Sequence, residues 1–257
     1  MTKSIHWPSN GSQWNIGAKL VAIERDARGH LNDMSPALTG EKGASILQLR
    51  YPILMKKFTD LSLEQYLNEL ASAEPVPGGG SVSAYTAALA VGLTQMVGKI
   101  SLARKKKTGL TTEEEKKEAR RRKTLEEIVY SLEKVRRDTF QIVNLDPQVY
   151  QEVMAAYGNP DKLEDALQNS FRLQADLAFL IIMAKECNAN LAGLVSGSIK
   201  NDLLVSAGLL EGAFRGACHT AMINAHYMKN TEHKERAEKA LEELKHRFEK
   251  GHDPSSD

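Results

Sequence analysis

Five consecutive residues, Pro77-Gly78-Gly79-Gly80-Ser81, stand directly before a long apolar stretch and carry the most specific chemical signal in the chain. Three successive glycines permit positive φ angles and let backbone N–H groups come close to a ligand. If a helix starts here with Ser81 as its cap, its unpaired N–H groups and positive dipole end favour a carboxylate, a carbonyl oxygen or the polar edge of a heterocycle. No Gly-Lys-Ser/Thr follows, so this is not a Walker loop; no strand precedes it, so it is not a dinucleotide fingerprint. The plainer reading is a tight helix–helix connection where only glycine fits.

Arg104-Lys105-Lys106, extended by Lys107, closes the same stretch. Cations suit the C-terminal end of a helix. They would also receive an anionic tail, either a helix length from the glycines or from a second subunit. Asp146 lies between Ile142-Val143 and Val149-Tyr150 and is the clearest carboxylate in an apolar setting. Burial there would raise its pKa toward the range of a general acid or base. Asp146-Pro147 is equally a helix-start signature, a cap followed by proline. Asp202 poses the same choice between cap and site residue. Asn224, inside an apolar run, needs a hydrogen-bond partner if buried. His219 and His226 share a helix face without metal-ligand spacing. No metal site and no Ser/His/Asp or Cys/His nucleophile can be assembled.

Helices must position these groups. The 257-residue chain has 34 Lys+Arg against 33 Asp+Glu, a net charge of +1, which argues against a general nucleic-acid binder. Two cysteines, Cys187 and Cys218, are too few for a disulfide scaffold and fit a reducing, cytoplasmic setting. Val82 to Leu102 is interrupted by Ser83, Thr86, Thr94, Gln95, Lys99 and Ser101, so it reads as a buried helix and no membrane is expected. Residues 1–54 lack sustained periodicity and read as a disordered extension or a mis-assigned upstream start; 55–257 read as one helical domain. Ser62 with Gln65, and Thr111 with Glu114 or Thr112 with Glu115, are capping-box patterns. Asn159-Pro160 opens a further helix. Inward stripes are expected at Leu63, Tyr66, Leu67 and Leu70; at Leu125, Ile128, Val129, Leu132 and Val135; and at Ala237, Ala240, Leu241, Leu244 and Phe248, with a stop at Gly251. The expected fold is all-α, an antiparallel bundle of long helices.

Leu63-Glu64-Gln65-Tyr66-Leu67 leading into Pro75-Val76-Pro77-Gly78-Gly79-Gly80-Ser81-Val82-Ser83-Ala84 resembles the start of the cyclodeaminase/cyclohydrolase family. Met96-Val97 before Arg104-Lys105-Lys106, Val143 to Tyr150 around Asp146, Ser198 to Asp202, and Ile223-Asn224 are similar to further family segments. The resemblance covers about Met55 to Lys250. The chain departs from the family pattern at Ala103, Pro147, Gln174, Asn201 and Thr220.

The resemblance implies a one-carbon folate enzyme, a methenyltetrahydrofolate cyclohydrolase or a formiminotetrahydrofolate cyclodeaminase. It implies Asp146 as general acid/base, with Pro77, Gly78, Gly79, Gly80, Ser81, Asp202 and Asn224 around the substrate and Arg104, Lys105 and Lys106 toward its glutamate tail. It further implies a homo-oligomer of at least two subunits and no cofactor beyond the tetrahydrofolate substrate. The alternative is a helical dimer of the same fold, folate-binding or purely structural, without catalysis.

Overall fold

A computed structural model describes residues 57–105 and 108–250. The expected extension at 1–54, Lys106 and the stop at Gly251 lie outside the described residues. A short 3-10 turn at Phe58–Asp60 precedes six α-helices: α1 Leu63–Leu70, α2 Gly79–Ala103, α3 Thr112–Ala156, α4 Pro160–Leu194, α5 Lys200–Tyr227 and α6 Thr231–Lys250. Among the described residues there is no strand.

Local chemistry sets most of the helix starts. Ser62 and Gln65 exchange side-chain-to-backbone bonds at α1, and Thr111 and Glu114 do the same at α3. Each pair satisfies two N–H groups that have no partner within the helix. Asn159 accepts from the Lys162 N–H, and Pro160 fills the next position, where a missing N–H costs nothing. Between α4 and α5 the chain reverses through Gly197, whose φ of +88° favours glycine.

The four longest helices run alternately up and down. At one end of α2, Gly80 lies against Asp146 of α3; toward the other, Gly98 lies against Val129. These two helices are therefore antiparallel. Arg121 of α3 reaches the Leu194 carbonyl at the end of α4, and Asn188 of α4 reaches the Leu203 carbonyl near the start of α5. Thr94 meets Ser206, so α5 also runs against α2. Leu125, Ile128, Leu132, Ile142, Leu145, Leu173, Leu177, Ile181, Ile182, Leu191 and Leu210 fill the space between them and are fully buried. Helix α6 packs on α4 and α5: Phe248 stacks on Phe214 at 3.9 Å, and His233 Nδ1 lies 3.1 Å from Glu164. The antiparallel all-α bundle expected from the sequence is the one observed.

A polar layer crosses the middle of this core. Asn188 Nδ2 donates to Thr94 Oγ1, Thr94 and Ser206 share a 2.7 Å hydroxyl contact, and Ser206 donates to the Ala90 carbonyl. Helices α2 and α4 are long and apolar enough to cross a membrane by length and composition; half of each apolar window is buried inside the bundle.

Several expected details differ. Leu63 and Leu67 point outward, leaving Tyr66 as the buried residue of α1, because this short helix touches the bundle along one narrow line. Ala240 is exposed and Leu244 half-buried, since α6 on the rim turns only part of its stripe inward; Val129 of α3 is half-buried, lying against Gly98. Ser81 is not the cap of α2: Gly78 holds that position, and Ser81 is the third helical residue. Nor does Asp146-Pro147 begin a helix. Both residues lie inside the 45-residue α3.

Candidate active site

Proline inside a helix removes one hydrogen bond, leaving the carbonyl four residues earlier without its donor. For Pro147 that carbonyl belongs to Val143, and it accepts from Ser81 Oγ at 2.9 Å. Ser81 has spent its hydroxyl hydrogen, so Tyr66 is the donor in the 3.2 Å contact between their oxygens. A chain of donors thus runs from α1 through α2 to the break in α3. It holds the Gly78–Ser81 segment against Asp146.

Asp146 completes the start of α2. Gly78, the N-cap residue, has no side chain to accept from the first-turn N–H groups. Asp146 Oδ2 accepts from the Ser81 N–H at 2.9 Å. That N–H belongs to the third helical residue, one of the two an ordinary cap serves, so Asp146 caps α2 from another helix. Its other oxygen, Oδ1, accepts from Gln174 Nε2 of α4 at 2.7 Å. Gln174 is fully buried, and its Oε1 has no partner among the described residues.

The glycines serve close approach rather than unusual backbone angles. Positive φ occurs at Gly109, Gly158 and Gly197 among the described residues, and not at Gly78, Gly79 or Gly80. A Cβ on Gly80 would overlap Asp146 Oδ1 and Gln174 Nε2. A Cβ on Gly79 would sit 3.9 Å from Thr220 Oγ1, ordinary contact with the facing α5. The Val76–Pro77 peptide leading into the segment is cis.

Electrostatics mark the same carboxyl. Burial pushes the Asp146 pKa up to about 6, against the opposing pull of the Ser81 N–H and the Gln174 amide. Tyr66 is also raised, mainly by burial. Aromatic rings continue outward from it: Tyr66 lies 5.2 Å from Tyr85, which lies 6.2 Å from Phe140. Both thiols are pushed away from reactivity by burial, Cys187 up to about 12 and Cys218 up to about 11.

The candidate residues divide between two ends of the bundle. Pro77 to Ser81, Asp146 and Asn224 share one end; Asn224 Nδ2 donates to the carbonyl of Thr220, the residue facing Gly79. Arg104 and Lys105 lie beyond the far end of α2, roughly 37 Å away along 25 residues. Asp202, in the first turn of α5, is at that far end too. Arg104 caps a neighbouring segment, donating to the Ser196 carbonyl at 2.9 Å. Arg122 likewise donates to the Leu102 carbonyl and Arg121 to that of Leu194. Three residues the sequence reading left outside its candidate site lie beside it: Tyr66 at Ser81, Gln174 at Asp146 and Thr220 opposite Gly79. Gln174 and Thr220 stand out in the sequence only as departures from a family pattern.

Comparison with known proteins gives the family and the fold. The model of the formiminotransferase-cyclodeaminase family matches residues 62–243. The chain belongs to that family. Its matched span includes the glycine segment, Asp146, Gln174 and Asn224. The chain is 22% identical to the methenyltetrahydrofolate cyclohydrolase of Methylorubrum extorquens over 191 residues, covering 71% of this chain and 86% of that protein. It is 24% identical over 196 residues to the formimidoyltransferase-cyclodeaminase of Rattus norvegicus, covering 72% of this chain and 34% of that longer protein. Among solved structures, the formiminotetrahydrofolate cyclodeaminase of Thermotoga maritima superposes with a TM-score of 0.66 at 24% identity, over 74% of this chain and 91% of that one. The shared family fold is the helical bundle described above.

Proposed function

We propose that this chain is a one-carbon folate enzyme, a methenyltetrahydrofolate cyclohydrolase or a formiminotetrahydrofolate cyclodeaminase, with Asp146 as its general acid/base. Support comes from the names of its relatives and from one observation: a buried carboxyl with its pKa raised to about 6, set at a glycine-lined helix start. Ser81 N–H is taken by Asp146, which leaves the Gly79 and Gly80 amides as first-turn donors for a polar edge of the pterin.

Either reaction passes through a tetrahedral carbon between N5 and N10 of the folate. In cyclohydrolysis, water adds to the methenyl carbon and the carboxylate takes the proton that water loses. In cyclodeamination, N10 attacks the formimino carbon and the acid gives its proton to the departing ammonia. A carboxyl titrating near neutrality serves either direction. No cofactor beyond the folate is part of this reading, and a cytoplasmic setting fits the two unpaired, buried cysteines.

The cation cluster fits a tail-binding role only from a distance. A tail near Asp146 meets Arg104 and Lys105 of its own chain only after the length of α2, so a second subunit is the better source. Leu89, Met96 and Ile100 on α2 and Leu204 and Val205 on the adjacent α5 are exposed apolar residues suited to such a subunit contact. Supplying the methenyl folate and the formimino folate separately, and following absorbance of the conjugated methenyl bridge, tests the reading. Loss of signal from the first assigns cyclohydrolase; gain from the second with ammonia release assigns cyclodeaminase. Silence in both, from a folded protein that binds folate, favours the non-catalytic alternative, in which Asp146 is a helix cap alone.

A further inference from the structure

Asp146 is held on both sides, and the two holders differ in what they can do. Ser81 N–H can only donate, so Oδ2 must stay unprotonated in that bond. A proton taken up by the carboxyl while it keeps its place therefore belongs on Oδ1, the oxygen facing Gln174. With Nε2–H aimed at Oδ1, two hydrogens would then oppose each other. Moving apart would give up the close contact both groups make with Gly80, where they fill the space a Cβ would take.

The Gln174 side chain carries its own solution. Its Oε1 is buried without a partner among the described residues, as are those of Gln141 and Gln148, and of the three Gln174 is the one whose Nε2 meets Asp146. An amide turned over by half a rotation presents oxygen where nitrogen stood, with nearly the same shape. Building on the acid/base reading of Asp146, we propose that Gln174 is its positioning residue: the amide turns over with protonation, donating Nε2–H to the carboxylate and offering Oε1 to the acid. The carboxyl then stays in place against Gly80 and Ser81 in both states. Half of the amide is idle in each state because it serves the other.

The groups around this pair leave the switch to Asp146. From α1, Tyr66 faces it through Ser81 and couples to its charge, and the raised Tyr66 phenol stays neutral while Asp146 titrates. From α2 come Gly80 and Ser81, from α4 Gln174, and beyond Gly79 lies Thr220 of α5, none of them ionisable.

Isotope-edited infrared difference spectroscopy on the full chain, without folate, tests this. Spectra are taken either side of the Asp146 midpoint, with labelled glutamine side-chain carbonyls and Asp146→Asn to identify the acid's band. The proposal expects a glutamine carbonyl band that shifts with the same midpoint as the Asp146 acid and is absent in Asp146→Asn. In Gln174→Met the acid's carbonyl band should move to higher wavenumber, its hydrogen-bond acceptor gone. A glutamine band that ignores the Asp146 titration, or an acid band unchanged in Gln174→Met, overturns the proposal. Should Gln174→Met fail to fold, the unsubstituted protein's spectra decide alone. Silence toward both folates would sink the proposed reaction and leave this result standing; an unmoving amide sinks this inference whatever the turnover.

Discussion

A methyl group at Gly80 would overlap the Asp146 carboxylate and the Gln174 amide, whereas one at Gly79 would meet Thr220 at 3.9 Å. Gly80→Ala is therefore expected to destabilise by about 2 kcal/mol or more, through overpacking, and to lose activity. Gly79→Ala should unfold within about 1 kcal/mol of the unsubstituted chain, since alanine also favours helix. Urea denaturation of the two variants side by side checks the contrast. Asp146 adds a pH test. Its carboxyl moves from 3.8 to about 6 in the folded state, so the folded chain holds an extra proton between those values. The stability that proton confers is complete below the lower value and is lost as pH rises through the upper. The loss is on the order of 3 kcal/mol by neutrality. Asp146→Asn can still accept from Ser81 and can donate to Gln174 Oε1. It should abolish turnover and unfold at neutral pH no lower than the unsubstituted chain, with that slope gone. Melting at acidic and neutral pH would measure it. The sequence exposes Asp146 as an acid in apolar company, and that reading stands. It does not expose Gln174, because a partner 28 residues away becomes visible only when two helices meet.

At the scale of elements, signals confined to one turn were readable and those completed across helices were not. The capping boxes at Ser62 and Thr111 and the Asn159-Pro160 start involve residues within one turn of each other. Asp146-Pro147 has the same local form, yet α3 continues through it. The lost bond is offset by Ser81, whose hydroxyl fills the Val143 carbonyl, and by the packing of Ile142, Leu145 and Val149 on both sides of the break. Likewise, Gly78 looks like a turn residue and proves to be a cap without a side chain, with Asp146 supplying the missing acceptor. The Thr94–Asn188–Ser206 layer was equally hidden, its members being 94 and 112 residues apart. Asn188→Leu removes the donor that Thr94 and the Leu203 carbonyl share. It should cost about 1–3 kcal/mol, read as a lowered urea midpoint with unchanged m-value.

For the whole molecule, the antiparallel bundle follows from amphipathic stripes and short connections and was legible throughout. Which exposed stripes meet a second subunit was not, because an apolar surface residue looks the same in a sequence whether it faces solvent or a partner. Leu89, Met96 and Leu204 are between 40% and 73% exposed, so charges there should spare the monomer's core. The full chain is expected to scatter light as a dimer or larger, and Met96→Glu with Leu204→Glu to scatter as a folded monomer. A monomeric, fully active unsubstituted chain would remove the subunit contact from the account. The claim that joins fold to function is that the carboxyl capping α2 also moves the proton. It is tested most directly by the pH profile of kcat/KM for the methenyl-bridge absorbance change, in the unsubstituted chain and in Asp146→Asn. The account predicts one ionisation near 6, with the rate rising through it for cyclohydrolysis and falling above it for cyclodeamination. It predicts a folded Asp146→Asn slower by at least about a hundredfold. A folded Asp146→Asn that turns over at the original rate, with the same profile, would contradict it.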